Sequence, residues 1–150
     1  MKDLDKKARI LIADDDEKIR EAMQTILEDE GYIVDLATSG SEAIAKTQRR
    51  DYNIAILDIR LPDMDGIELL KLMKNAEPKT RKIMVTGYPS MQNAIKAVNK
   101  NADAYFVKPV DVEKLLIVVK EQLQMQEAEK NFSEQKVAKF IESRIKEIAI

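Results

Sequence analysis

The 150-residue sequence contains no histidine and no cysteine. Without cysteine there is no disulfide framework, no thiolate nucleophile, no iron–sulfur cluster and no cysteine-type zinc site. Without histidine there is no Ser-His-Asp triad, no imidazole general base and no imidazole metal ligand. Any metal must therefore sit on oxygen, which favours magnesium, calcium or manganese. An excess of either charge is missing too: 25 Lys and Arg stand against 27 Asp and Glu, a net charge of −2. That balance gives no electrostatic footprint for direct nucleic-acid binding. No apolar run reaches the ~18 residues of a membrane span. The charged start, Met1 to Lys7, lacks the apolar stretch of a signal peptide. The expectation is a chain with no membrane role and a cytoplasmic location. The length fits one domain with a sizeable core.

What is present is a rhythm of short apolar runs and segments of helical period. Arg9 to Ala13 reads as a buried strand, and Ile19, Ala22, Met23, Ile26 and Leu27 then fall on one helix face. Gly31 stands where a helix ends in a left-handed residue. Tyr32 to Ala37 reads as a second strand, and Ser39 with Glu42 as a capping box opening the next helix. Asn53 to Asp58 is a third strand, Lys82 to Thr86 a fourth and Ala104 to Val107 a fifth. Asp65, Ser90 and Asp111 are placed to cap the helices that follow strands 3, 4 and 5. The last helix carries Val112, Leu115, Leu116, Val119 and Leu123 on one face.

Strands that are apolar throughout are buried on both faces, so five such β-α units predict a parallel sheet covered by helices. Right-handed crossovers favour the strand order 2-1-3-4-5, a flavodoxin-like (βα)5 three-layer sandwich. In that order ligands bind at the carboxyl ends of strands 1 and 3. Asp14, Asp15 and Asp16 follow strand 1, and Asp58 ends strand 3. Neighbouring strands lie about 4.8 Å apart, so these carboxylates crowd into one crevice and repel each other unless a cation joins them. Oxygen-only ligands in an open crevice favour Mg²⁺. Thr86 adds a hydroxyl at the end of strand 4 and Lys108 an ammonium after strand 5. The set suits phosphoryl transfer onto a carboxylate. Each residue also has a plainer reading: Asp14 to Asp16 as an acidic helix start, Asp58 as a turn residue, Thr86 as a β-former, Lys108 as a surface cation and Tyr105 as a half-buried strand residue.

Taken together, Ile10-Leu11-Ile12-Ala13-Asp14-Asp15-Asp16, Leu57-Asp58-Ile59-Arg60-Leu61-Pro62-Asp63-Met64-Asp65-Gly66, Val85-Thr86-Gly87 and Tyr105-Phe106-Val107-Lys108-Pro109 resemble the receiver domain of two-component response regulators over residues 8 to 122. The resemblance implies that Asp58 is the phosphoacceptor, that Asp15 ligates Mg²⁺ directly and Asp14 through water, and that the main-chain carbonyl of Arg60 is a further ligand. It implies that Thr86 is the switch hydroxyl, Tyr105 the switch aromatic and Lys108 the phosphate-pairing lysine, with a cis bond before Pro109. The implied partners are a sensor histidine kinase and a downstream effector, with a homodimer possible. The implied activity is a switch that catalyses only its own phosphorylation and dephosphorylation. Asn101 stands where many receivers carry glycine, and Arg60 and Tyr88 are bulky at positions that gate water near the phosphate.

Two other readings compete. An aspartate-nucleophile phosphatase of the haloacid dehalogenase type needs D-x-D-x-T/V, but Lys18 occupies the last position and Asp58 is left without a role. An inert interaction domain of receiver-like fold leaves the carboxylate constellation unused. The domain division expected is a receiver over residues 1–125 and a helical extension over 126–150. In the extension, Gln126, Lys130 and Ser133 interrupt the apolar stripe before Val137, Phe140, Ile141, Ile145 and Ile148 resume it. That face either folds back on its own domain or serves as a signalling helix for dimerisation or docking.

Overall fold

The computed structural model describes residues 7–148 apart from 74, 77, 88–89, 91–94 and 97–101. The elements are β1 (Arg9–Ala13), α1 (Glu17–Asp29), β2 (Ile33–Ala37), α2 (Gly40–Arg49), β3 (Ile54–Asp58), α3 (Gly66–Leu72), β4 (Arg81–Thr86), β5 (Ala104–Val107) and α4 (Val112–Ile148). The helix expected after Ser90 lies mostly outside the described residues, as do Tyr88 and Asn101. All five strands pair in parallel in the order β2-β1-β3-β4-β5, as the sequence predicts.

Strand alternation divides the core in two. Ile10, Ile12, Ile54, Ile56, Ile83 and Val85 face one side and pack with Met23 and Leu27 of α1 and with Leu115 and Val119 of α4. Leu11, Ala13, Ala55, Leu57 and Met84 face the other side, with Ala43 of α2 and Ile67, Leu69 and Leu70 of α3. Each fully buried aliphatic side chain contributes roughly 1.5–3 kcal/mol from burial, so both faces are needed to hold the sheet.

The helix starts follow local chemistry. Asp16, Ser39 and Asp65 accept from Ile19, Glu42 and Ile67 main-chain N–H groups, and Asp111 from that of Lys114. Asp16 is thus a cap, as the plainer reading of the acidic triplet has it. The capping box is modified: Glu42 accepts from the N–H of Thr38, not of Ser39. Gly31 adopts φ 97°, a conformation that side chains resist.

The last helix departs from expectation. It runs unbroken through 37 residues, about 55 Å at 1.5 Å per residue. Val112 at its start is 41% exposed and lies outside the core. Gln126 does not interrupt the docked face but extends it. Its amide donates to the carbonyls of Asn53 (3.0 Å) and Lys79 (2.8 Å) and accepts from Asn53 Nδ2 (2.9 Å). Arg81 at the start of β4 reaches Gln122 (2.8 Å) and Glu129 (2.7 Å). Residues 131–146 are exposed throughout. The fold-back reading therefore fails: Val137, Phe140, Ile141 and Ile145 face solvent.

Candidate functional site

Register builds the site. Ala13 pairs with Leu57, and Asp58 with Val85, so the residues that leave β1 and β3 stand side by side. One carboxylate oxygen from each of Asp14, Asp15 and Asp58 lies within 4.8 Å of the others. Asp14 and Asp58 are buried, and Asp15 is exposed at the rim.

Lys108 closes the crevice. Its main-chain N–H donates to the carbonyl of Thr86 (2.8 Å), which ties the turn after β5 to the end of β4. Its Nζ then reaches Asp14 (2.8 Å) and Asp58 (3.0 Å). The bond from Lys108 to Pro109 is cis, as the resemblance implies. Asp14 is held by further bonds: its N–H donates to the Ala37 carbonyl, and its Oδ1 accepts from the Asp16 N–H.

Electrostatics follow from crowding. Burial raises the Asp58 carboxyl above its ordinary range; bonds from Lys108 and the Arg60 N–H pull it down, and the Asp14 charge pushes it up again. Burial works against the Lys108 ammonium, but hydrogen bonds and charges from Asp14 and Asp58 outweigh it, so its value is raised. Three carboxylates against one ammonium leave two negative charges. One divalent cation neutralises them, and the oxygen-only donor set fits a hard cation.

The other expected residues lie around this centre. Thr86 is fully buried at the end of β4. Tyr105 lies one strand over, paired with Met84, and its hydroxyl is buried without a hydrogen-bond partner among the described residues. Arg60 pairs with Asp65 across the loop after Asp58, and its N–H donates to Asp58 Oδ1 (3.2 Å).

Sequence reasoning missed three contributors. Gly66 opens α3 so near Asp58 that a Cβ there would lie 2.2 Å from the Asp58 carbonyl oxygen. Arg20 donates to the Asp14 carbonyl (2.8 Å). Asp63 accepts from the N–H groups of Gly40 (2.8 Å) and Ser41 (2.9 Å) and from the Ser41 hydroxyl (2.6 Å). Gly66 was visible in the Met64-Asp65-Gly66 run; Asp63 bonds partners 22 and 23 residues away, and nothing in the sequence marks the bond of Arg20 to a carbonyl six residues back.

Residues 10–120 match the family model described as the response regulator receiver domain. Among solved structures, a CheY-like response regulator receiver domain protein from Methanospirillum hungatei JF-1 is 47% identical with TM-score 0.78, covering 82% of this chain and 98% of that one. The beryllofluoride-activated NtrC4 receiver domain dimer is 34% identical with TM-score 0.74, covering 79% of this chain and 98% of that one. Among curated proteins, the regulatory protein AtoC of Escherichia coli (strain K12) is 34% identical over 122 residues, 81% of this chain and 26% of its own length. Transcriptional regulatory protein ZraR of Klebsiella oxytoca is 36% identical over 114 residues, 76% of this chain and 26% of its own. The chain thus spans about a quarter of the length of these curated relatives. No helix among the described residues is long and apolar enough to cross a membrane.

Proposed function

The chain belongs to the response regulator receiver family, and from that premise we propose that it is the phosphoacceptor half of a two-component phosphorelay. Its work is that of a signalling switch, not the turnover of a metabolite. The observation that carries the reading is the convergence of Asp14, Asp15 and Asp58 with Lys108 bridging two of them.

Asp58 is the nucleophile. One of its oxygens forms a bond to phosphorus as the bond from phosphorus to the donor nitrogen of a phosphohistidine breaks, and the departing imidazole takes a proton. This chain has no histidine, so the donor is a separate protein or domain. Asp15, Asp14, Asp58 and the Arg60 carbonyl would hold Mg²⁺. When bound, Mg²⁺ neutralises the carboxylates and the phosphoryl oxygens. Lys108 exchanges its bond to Asp58 for one to a phosphoryl oxygen, and the Thr86 hydroxyl donates to another. Phosphate adds about −1.5 to −2 charge at this point, and Tyr105 follows Thr86 in repacking the face beside β5.

In this reading the receiver runs past the expected boundary at 125, because Gln126 and Glu129 still bond Asn53, Lys79 and Arg81, and the exposed helix from residue 131 is the extension through which it acts on a downstream effector or a second copy. The reading keeps the cytoplasmic location expected from the sequence, with a sensor histidine kinase as the phosphoryl donor. The phosphatase reading gains no support, because Lys18 breaks its motif and Asp58 sits at the centre of the acids. Beryllofluoride titration with Mg²⁺, followed by size analysis, tests the proposal. Saturable binding lost in Asp58→Asn supports it; absence of binding, or steady hydrolysis of a phosphomonoester, sinks it. If the full chain and a version ending at Lys130 are both monomers with beryllofluoride bound, the extension does not self-associate.

A further inference from the structure

Apart from Asp58 at the end of β3, the metal ligands implied for this site sit on two loops, one fastened by an arginine of α1 and the other fastening itself to α2 through an aspartate at its tip. The first loop joins β1 to α1. Arg20, one turn into α1, donates from Nη1 to the Asp14 carbonyl at 2.8 Å. That carbonyl belongs to the planar peptide joining Asp14 to Asp15, so fixing it fixes the plane from which Asp15 projects. Asp15 needs such help: it is exposed, and its carboxylate has no hydrogen bond to any described residue.

The second loop joins β3 to α3 and carries Arg60. Its root is closed by the Arg60–Asp65 pairing and by the Gly66 N–H donating to the Ile59 carbonyl at 2.6 Å. Its tip is fastened by Asp63, whose two oxygens take the N–H groups of Gly40 and Ser41 and the Ser41 hydroxyl. These bonds hold the Asp63 carboxyl down at about 2, so it stays ionised at the start of α2. Met64 seals the same junction: a Cβ on Gly40 would lie 2.4 Å from its side chain. The tip is thereby attached to α2, an element that supplies no ligand itself.

We infer that Arg20 and Asp63 are positioning residues for the divalent cation, the first orienting Asp15 and the second orienting the loop that presents the Arg60 carbonyl. Neither touches the ion. Each removes a freedom that cation binding would otherwise have to restrict, and so sets affinity more than the rate of transfer in the loaded site. The inference rests on the metal-dependent acceptor reading given above.

Calorimetric titration with Mg²⁺ tests it on the full chain, for wild type, Arg20→Ala, Asp63→Ala and the milder Arg20→Lys and Asp63→Asn. Loss of either fastening weakens Mg²⁺ by about tenfold, the low end for outer partners of metal ligands. The milder variants fall between. Labelling of Asp58 by acetyl phosphate slows at limiting Mg²⁺ and recovers to the wild-type rate at saturating Mg²⁺. Ser39→Ala is the control: it removes the side-chain cap of α2, lowers the melting temperature and leaves Mg²⁺ affinity unchanged. The inference is overturned if the folded variants bind Mg²⁺ like wild type, if saturating Mg²⁺ does not restore labelling, or if Ser39→Ala weakens Mg²⁺ equally. If wild type itself binds no Mg²⁺, the acceptor reading falls and takes this one with it.

Discussion

Gln126 offers a quantitative test of where the domain ends. It is 4% exposed on a helix face otherwise docked by Leu115 and Val119. Its amide makes three hydrogen bonds, to the side chain and carbonyl of Asn53 and to the carbonyl of Lys79. Asn53 in turn accepts from the Arg9 N–H at 2.9 Å, so the cluster joins the starts of β1 and β3 to α4. Gln126→Met keeps the volume and deletes the bonds, stranding the Asn53 Nδ2 donor and the Lys79 carbonyl, while the Asn53 carbonyl keeps the Arg81 N–H at 2.9 Å. At about 1 kcal/mol for each of these two groups, somewhat relieved by water, the loss is about 1–2 kcal/mol. Gln126→Ala adds lost packing and costs about 1 kcal/mol more. Urea unfolding followed by circular dichroism reads this as a lower midpoint at constant slope. A version ending at Met125 shows at least this loss, since it also removes Glu129 from Arg81, whereas one ending at Lys130 does not. Mg²⁺ affinity stays at the wild-type value, because the cluster is at the opposite ends of the strands from Asp58. A cost below about 0.5 kcal/mol for Gln126→Met would refute the reasoning, since that is the range of surface changes.

Three further outcomes follow from the geometry. Asp58→Asn raises the melting temperature without Mg²⁺, because it removes a buried charge facing Asp14, and Mg²⁺ then stabilises wild type but not the variant; a destabilised variant contradicts the crowding argument. Gly66→Ala forces a Cβ against the Asp58 carbonyl; it costs about 1–3 kcal/mol and slows Asp58 labelling, and wild-type behaviour in both assays counts against the close approach. Glu42 is held below its ordinary 4.5, chiefly by the Thr38 N–H. Its contribution is present above that ordinary value and is lost as pH falls through the lowered one, so the drop in stability across that acid range is smaller in Glu42→Gln than in wild type.

The sheet was legible because the inner strands β1 and β3 are apolar on both faces, while the edge strands β2 and β5 keep polar or exposed positions such as Asp35 and Val107, a pattern that favours a helix-covered parallel sheet. Asp58 and Lys108 were legible because strand ends are fixed once the strands are. Asp65 and Asp111 declare themselves as caps by their place before an apolar period. Gln126 misled for a physical reason: periodicity counts apolar residues, and a buried amide satisfied by backbone carbonyls looks like a surface residue in sequence. Arg20 and Asp63 were hidden because nothing local marks an arginine that bonds a carbonyl six residues back or an aspartate that bonds an N–H 22 or 23 residues away. The exposure of Val137, Phe140 and Ile141 was likewise unreadable, since an amphipathic period shows that a face exists and not what covers it.

The central claim is that Asp58 is the phosphoacceptor of a metal-dependent site. Incubation with acetyl phosphate, followed by intact-mass measurement and mapping of the labelled peptide, tests it directly. The account predicts one phosphoryl group per chain on Asp58, dependent on Mg²⁺ and absent from Asp58→Asn. A phosphoryl group on any other residue, or undiminished labelling of Asp58→Asn, would contradict it.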